Sequence, residues 1–122
     1  MLWVLREEER RFSKRVLQAL SRPEAELFVS IVSLWEIAVK RQAGKLRVAE
    51  APHAIIDIIQ AQAAWRILPL EVTHIQALNE IARFSDHTDP FDRILIAQAH
   101  REGLQIITAD QQFPRYGVKV IW

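Results

Sequence analysis

Four carboxylates lie at predicted boundaries between strands and helices and are the residues best suited to chemistry. Glu36 follows a short apolar segment, Asp89 and Asp92 open a later helix, and Asp110 follows the apolar run 104–108. Crowded carboxylates repel one another, and a hard divalent cation such as Mg²⁺ relieves that repulsion. With metal ions between them, such acids activate water and stabilise displacement at phosphorus. Metal-assisted hydrolysis of a phosphate ester is therefore predicted if the fold brings these acids together.

Each of these acids also has a purely local interpretation. Ser33 and Glu36 have the spacing of a capping box at a helix start. Asp89 precedes a proline and suits an N-cap, while Asp92 suits the positive end of the helix dipole. Asp110 suits a turn. What favours the chemical interpretation is that all four acids fall at the same end of the predicted sheet, where open α/β folds bind ligands.

The elements that must position these acids alternate between helix and strand along the chain. Period-2 and short apolar runs predict strands at 27–32, 66–70, 104–108 and 118–122. Amphipathic spacing and cap residues predict helices at 9–21, 34–43 and 52–64, a helix from Thr73 through Ala82, and a helix from Asp89 to Gly103. The alternation predicts an α/β fold, a parallel sheet with helices on its faces.

Composition limits the other classes of function. A chain of 122 residues that is half hydrophobic suits one domain over 1–122, and 16 basic against 15 acidic residues leave no broad basic field for nucleic acid. The absence of cysteine removes thiol chemistry and suits the cytoplasm. Three scattered glycines exclude a glycine-rich phosphate loop, and no apolar run is long enough to span a membrane.

The histidines and the apolar helix residues have ordinary interpretations. None of the histidines has the spacing of a metal-binding motif, so we expect them to be surface or core residues: His53, His74, His87 and His100. The helical spacing of the larger apolar residues predicts that they belong to the core: Trp35, Ile94, Leu95, Ala97 and Ala99.

Three segments together resemble the PIN domain of VapC-type toxins. They read VSIVSLWEIAVKRQAGKL, HTDPFDRILIAQAHREGLQIITAD and FPRYGVKVIW, and the similarity covers essentially the whole chain. The resemblance implies a three-layer α/β/α domain with Mg²⁺- or Mn²⁺-dependent endoribonuclease activity. It also implies an RNA substrate, a cognate antitoxin that neutralises the toxin, and a homodimer.

Position by position, the resemblance makes Glu36, Asp92 and Asp110 the metal ligands. Asp89 belongs to the same catalytic block, but its N-cap position suits a residue that shapes the site. Arg93 and Lys40 are candidates for contacts with substrate phosphates, although a solvated helix face explains them equally well.

The start of the chain departs from the family pattern. Members open with a strand that ends in an aspartate, of the form LLLDTHALLW, whereas this chain begins with MLWVLREEERR. Aligned in this way, the chain lacks the central strand and the first metal ligand, which predicts exposed strand edges and weak or absent activity. A late-assigned start site and a decayed gene both explain the departure, and the intact remaining acids favour the first.

Two other functions remain open at this point. A non-catalytic PIN-like module would bind the antitoxin or RNA without cleaving, and the apolar faces of helices 9–21 and 52–64 are candidates for such an interface or for a dimer. A flavodoxin-like phosphoacceptor domain would need a strand-end aspartate early in the chain, and none precedes the first predicted strand.

Overall fold

The computed structural model describes the backbone of residues 2–5 and, in full, residues 13–44, 57, 60–61 and 65–122. Most of the predicted helix 52–64, and residues 9–12 of the first predicted helix, lie outside the described residues. The described elements are β1 (Leu2–Leu5), α1 (Lys14–Leu20), β2 (Glu26–Ser30), α2 (Ile31–Gln42), β3 (Trp65–Leu68), α3 (Val72–Ala77), α4 (Pro90–Glu102), β4 (Gln105–Ile107), a 3-10 helix (Phe113–Tyr116) and β5 (Val120–Ile121). No helix in these ranges combines the length and apolarity of a membrane span.

The strands form one parallel sheet, which confirms the predicted α/β class. Its order is β3-β2-β1-β4-β5, and every adjacent pair is parallel. Neighbouring residues of a strand point to opposite faces, and accordingly Ile106 and Ile107 belong to different core clusters. Ile106 packs with residues of α3 and α4, and Ile107 packs with Val16 and Ala19 of α1. Helices therefore cover both faces of the sheet.

The central position of the sheet is occupied, contrary to the prediction that this strand is missing. β1 pairs with β2 from Leu2 opposite Glu26, and with β4 from Trp3 opposite Gln105. The physical reason is that β2 and β4 would otherwise present unpaired backbone groups in the middle of the sheet. The four apolar residues LWVL are long enough to pair with the short strand β4. They carry no carboxylate, so the family's strand-end acid has no counterpart in β1.

Three helices begin at residues other than those predicted, and the first of them, α1, begins at Lys14 after the N-cap Ser13 instead of at residue 9. The N-cap of α2 is Ser30, whose hydroxyl accepts a hydrogen bond from Val32 N–H at 3.0 Å, so Ser33 lies inside the helix. The strand before it ends at Ser30, since Ile31 and Val32 are already helical. The third helix begins after Glu71 instead of at Thr73 and ends at Ala77. The helices α2 and α3 are both capped earlier than sequence spacing indicated; α2 follows β2 directly, whereas residues 69–71 separate α3 from β3.

The core residues of α4 are confirmed, whereas Trp35 is not a core residue. Ile94, Leu95, Ala97 and Ala99 are all buried. Trp35 is 58% exposed and lies between Ile31 at 37% and Val39 at 41%, all four residues apart on one face of α2. The buried residues of α2, which include Val32 and Glu36, lie on a different face of the helix from this exposed apolar stripe.

A buried polar contact ties the start of α2 to the middle of α4. The Ser30 hydroxyl donates a hydrogen bond to Gln98 Oε1, although the two residues are far apart in sequence. Gln98 Nε2 in turn donates to the carbonyl oxygen of Pro69 at 3.2 Å, just after β3. Both Ser30 and Gln98 are completely buried. The contact fixes the helix that carries Glu36 against the helix that carries Asp92.

We expect Ser30→Ala to lower the free energy of unfolding by about 2 kcal/mol, because it removes an N-cap and leaves a buried amide oxygen without its donor. Urea unfolding followed by circular dichroism measures the change. Ser21→Ala is the matched control, since that exposed hydroxyl bonds only the Gln18 carbonyl at 2.7 Å. Equal losses for the two variants would contradict the structural role of the buried hydroxyl.

Candidate functional site

The start of α4 is built as the sequence predicts. Asp89 is the N-cap, and its Oδ1 accepts a hydrogen bond from Asp92 N–H at 3.0 Å. Pro90 occupies the first turn, where its missing N–H costs nothing. Asp92 is the third helical residue and is only 2% exposed. Asp89 therefore directs its carboxylate to the backbone, while the carboxylate of Asp92 is buried.

His87 lies beside Asp92, and sequence spacing did not predict this. Its Nε2 is 3.0 Å from Asp92 Oδ2, and its Nδ1 is 2.7 Å from the hydroxyl of Tyr116. The backbone holds the histidine in place, because His87 N–H donates to the Phe84 carbonyl at 3.2 Å. The imidazole is thus fixed from both nitrogens and from its own backbone.

The hydrogen bonds of Tyr116 bear on the state of that imidazole. The Tyr116 hydroxyl lies 2.7 Å from His87 Nδ1 and 3.3 Å from the His87 carbonyl oxygen, and its single proton can go to one of them only. When the proton of the neutral ring is on Nε2, it is donated to the Asp92 carboxylate; when it is on Nδ1, Nε2 presents a lone pair beside that carboxylate. In the second tautomer a bound cation can be shared by Nε2 and Asp92.

Asp110 completes this group from the other side of the sheet edge. It follows β4, its N–H donates to Thr108 Oγ1 at 3.0 Å, and its Oδ1 accepts from Gln112 N–H at 2.9 Å. This is the turn predicted locally, and the same carboxylate also faces the site. One ligand atom from each of His87, Asp92 and Asp110 lies within 4.8 Å of the other two. We call these three residues the His–Asp–Asp cluster.

Glu36 lies close to the site helix but is not a member of the His–Asp–Asp cluster. It sits in the second turn of α2 instead of the first, is 1% exposed, and its Oε2 is 2.8 Å from Lys40 Nζ. α2 meets α4 through the rings of Trp35 and Phe91, whose centroids are 4.9 Å apart. Lys40 therefore balances a buried carboxylate, which limits its freedom to contact substrate phosphates.

The loop before α4 is held by Arg115 of the 3-10 helix. Its two terminal nitrogens are each 3.1 Å from an oxygen of Asp86, and its guanidinium carbon lies 4.0 Å from the centre of the Phe84 ring. The hydrogen bond from Arg115 holds the pKa of Asp86 below its ordinary value. The pair therefore keeps its charges over the neutral range and restrains the loop that carries His87.

The other histidines have structural roles in the described part of the chain, and His53 lies outside it. His74 is completely buried; its Nδ1 accepts from Glu71 N–H at 3.0 Å and its Nε2 donates to Glu102 at 2.8 Å. His100 is exposed and lies 3.1 Å from Glu80. The sequence signal that distinguishes His87 from these is its position two residues before Asp89, the N-cap of α4.

The pattern of the PIN domain matches residues 1–119 of the chain. The chain belongs to the PIN domain family. No curated protein is similar enough in sequence to count as a match. Among solved structures, VapBC2 from Rickettsia felis, bound to promoter DNA, contains a chain with 14% identity and a TM-score of 0.70; the alignment covers 99% of this chain and 98% of that one. These values establish a shared PIN fold.

Two further complexes have the same PIN fold. FitAcB from Neisseria gonorrhoeae aligns at 16% identity with a TM-score of 0.66, covering 98% of this chain and 96% of that one. VapBC from Salmonella typhimurium, bound to DNA, aligns at 17% identity with a TM-score of 0.66, covering 99% and 98%. PIN domains are typically nucleases with an acidic metal site, and the His–Asp–Asp cluster of this PIN domain lies at the carboxyl ends of its parallel strands.

Proposed function

We propose that this chain is a divalent-metal-dependent endoribonuclease of the VapC toxin type. The observation that carries the proposal is the His–Asp–Asp cluster, with its ligand atoms within 4.8 Å of one another. Of the acids that the resemblance makes catalytic, Asp92 and Asp110 belong to it, whereas Glu36 and Asp89 do not. RNA as substrate comes from the resemblance to VapC toxins.

The donor set fits a divalent cation. Two carboxylates and an imidazole nitrogen face one another, and their mutual repulsion is relieved by positive charge. Carboxylates suit Mg²⁺ and Mn²⁺, whereas an imidazole suits transition metals, so the set favours Mn²⁺ over Mg²⁺. Such an ion, when bound, lowers the pKa of a water molecule and stabilises charge on a phosphodiester.

The chain's own residues orient this set. Tyr116 directs Nε2 of His87 toward the ligand position, as supporting hydrogen bonds do for other ligating histidines. Asp89 fixes the helix start, so that Asp92 leaves the first turn at a defined angle. Glu36 is proposed as a further acidic residue of the site, with Lys40 setting its orientation. Together these contacts hold the ligands before any substrate arrives.

Cleavage of single-stranded RNA in Mn²⁺ or Mg²⁺ tests the proposal, with single-stranded DNA of the same sequence as substrate control. We expect metal-dependent RNA cleavage that EDTA stops. Asp110→Asn should lower the rate by about tenfold or more, because a neutral amide binds a cation less well while its Oδ1 still accepts from Gln112 N–H. The turn at Asp110 is preserved, so a lower cleavage rate reports the loss of the carboxylate charge.

Asp57→Asn is the matched control, since Asp57 is exposed and lies outside the His–Asp–Asp cluster. It should cleave like the unchanged chain. Equal rates for the two asparagine variants would contradict the role of Asp110 in cleavage. A folded chain that cleaves no RNA in either metal would refute the enzyme proposal.

The second candidate is the non-catalytic PIN-like module. It is favoured by β1, because the family's first acid has no counterpart among residues 2–5. A catalytic set short of one carboxylate binds metal more weakly, so the rate should in any case be low. Binding to an antitoxin without any metal-dependent cleavage would select this candidate over the first.

The proposed partner is a cognate antitoxin, as the resemblance implies and as the complexes of VapBC and FitAB type suggest. The exposed apolar stripe of Ile31, Trp35 and Val39 supports it, because spacing of four residues is the pattern by which helices meet apolar grooves and helices. Association of two copies as a homodimer is part of the same proposal and rests on the resemblance.

A further inference from the structure

Two adjoining surface pockets lie beside the His–Asp–Asp cluster and share two arginines. The larger has a volume of about 400 Å³ and is lined by Leu78, Asn79, Ile81, Arg83 and Arg93. The smaller, of about 230 Å³, is lined by Arg83, Phe84, His87, Thr88 and Arg93. His87 belongs to both the smaller pocket and the cluster, and we call the two pockets together the groove.

The charge of this groove is positive, although the chain as a whole is nearly neutral. Of the described residues that line it, two carry guanidinium groups and none carries a carboxylate. Arg93 is held in place, because its Nη1 donates to the Ala82 carbonyl at 3.1 Å and its guanidinium carbon lies 5.9 Å from the centre of the Tyr116 ring. A preorganised guanidinium loses less freedom when it binds an anion. The groove is therefore suited to an anion, next to a group of carboxylates.

The larger pocket also has an apolar wall and one amide. Leu78 and Ile81 provide apolar surface, and Asn79 is exposed at the rim with an amide that both donates and accepts. An aromatic base needs this combination, since its flat faces pack on apolar side chains and its edge forms hydrogen bonds. A volume of about 400 Å³ is within the range of small-ligand sites.

We propose that this groove binds the nucleotide next to the cleaved phosphodiester of single-stranded RNA. Arg83 and Arg93 contact its phosphate, and its base lies against Leu78 and Ile81 with its edge at Asn79. The proposal rests on the ribonuclease function proposed above and assigns where the substrate enters. In this proposal a nearly neutral chain holds a polyanion near carboxylates because its positive charge is concentrated at the groove.

The test is equilibrium binding of a fluorescent single-stranded RNA octanucleotide, by anisotropy, with Ca²⁺ in place of Mn²⁺. Arg83→Gln and Arg93→Gln should each raise the Kd about threefold to tenfold and lower the slope of log Kd against log salt by about 0.7, the share of one phosphate contact. Arg66→Gln, an exposed arginine on the edge strand β3, is the matched control and should change neither quantity.

A second binding experiment tests the contact with the base. Asn79→Ala should raise the Kd about threefold to tenfold for intact RNA, and should not change it for an octanucleotide that lacks bases but keeps its phosphates. Circular dichroism and urea unfolding verify that each variant is folded.

The outcomes separate this inference from the function on which it rests. If the unchanged chain binds and cleaves RNA while both arginine variants behave like Arg66→Gln, the groove proposal is overturned and the ribonuclease proposal stands. If the unchanged chain neither binds nor cleaves RNA, both are overturned. If the arginine variants lose affinity equally for RNA with and without bases while Asn79→Ala has no effect, the base pocket is overturned.

Discussion

Replacing Asp92 by asparagine is expected to lower RNA cleavage by at least about a hundredfold, while the free energy of unfolding changes by no more than about 1 kcal/mol. Loss of a residue that merely supports a metal ligand lowers metal affinity or activity about 10–100-fold. Asp92 is proposed as a ligand itself, so the expected loss is larger. The side chain is buried between His87 and the helix start, so its charge is not offset by water. An amide of the same shape keeps the packing and removes the charge.

Initial cleavage rates in Mn²⁺ and urea unfolding curves measure the two quantities. Asp89→Asn is the control in the same helix turn, because asparagine caps a helix as well as aspartate does and Asp89 uses its carboxylate on Asp92 N–H. It should keep most of the activity. Loss of activity in Asp89→Asn equal to that in Asp92→Asn would contradict the separation of a ligand from a shaping residue.

Replacing His87 by glutamine is expected to weaken Mn²⁺ binding by at least about tenfold and to remove most of the preference for Mn²⁺ over Mg²⁺. The imidazole nitrogen is the one donor of the His–Asp–Asp cluster that transition metals favour, while both carboxylates remain. Isothermal titration of the metal-free protein with each cation measures this directly, without any activity assay.

Two variants serve as comparisons for His87→Gln. Tyr116→Phe keeps the ring but removes the hydroxyl that orients Nδ1, so we expect a smaller loss of Mn²⁺ affinity. His100→Gln changes an exposed histidine that pairs with Glu80 and should not affect metal binding. Unaltered Mn²⁺ affinity in His87→Gln would remove the histidine from the metal site and leave it as a hydrogen-bond partner of Asp92.

Local chemistry made α4 predictable from sequence. Asp89, Pro90 and Asp92 occupy the first turn as predicted, and Gly103 ends the helix with a φ of 67°, a conformation that glycine adopts without strain. All of these signals lie within one helix and its flanking residues. They depend on backbone groups three or four residues away, so no knowledge of the rest of the fold is needed.

Contacts across the fold were less predictable. His87 reaches the site because Tyr116, 29 residues later, holds its ring, and spacing along the chain carries no trace of that contact. The start of α2 was placed too late because Ser30 and Ser33 are both plausible caps, and the partner that buries Ser30 is Gln98. Trp35 was assigned to the core because the sequence of α2 has apolar residues on two faces, and only packing on the sheet selects one.

Local patterns in the sequence were enough to predict the alternation of strands and helices, the parallel sheet and four acids at one end of it, because periodicity and caps act over a few residues. The resemblance to PIN domains came from local motifs of the same kind. The packing of the folded chain was needed to learn which acids meet, that a histidine joins Asp92 and Asp110, that Leu2–Leu5 occupies the centre of the sheet, and that two arginines line one groove. Those arrangements depend on strand order and on packing between residues distant in the chain, which local preferences do not specify.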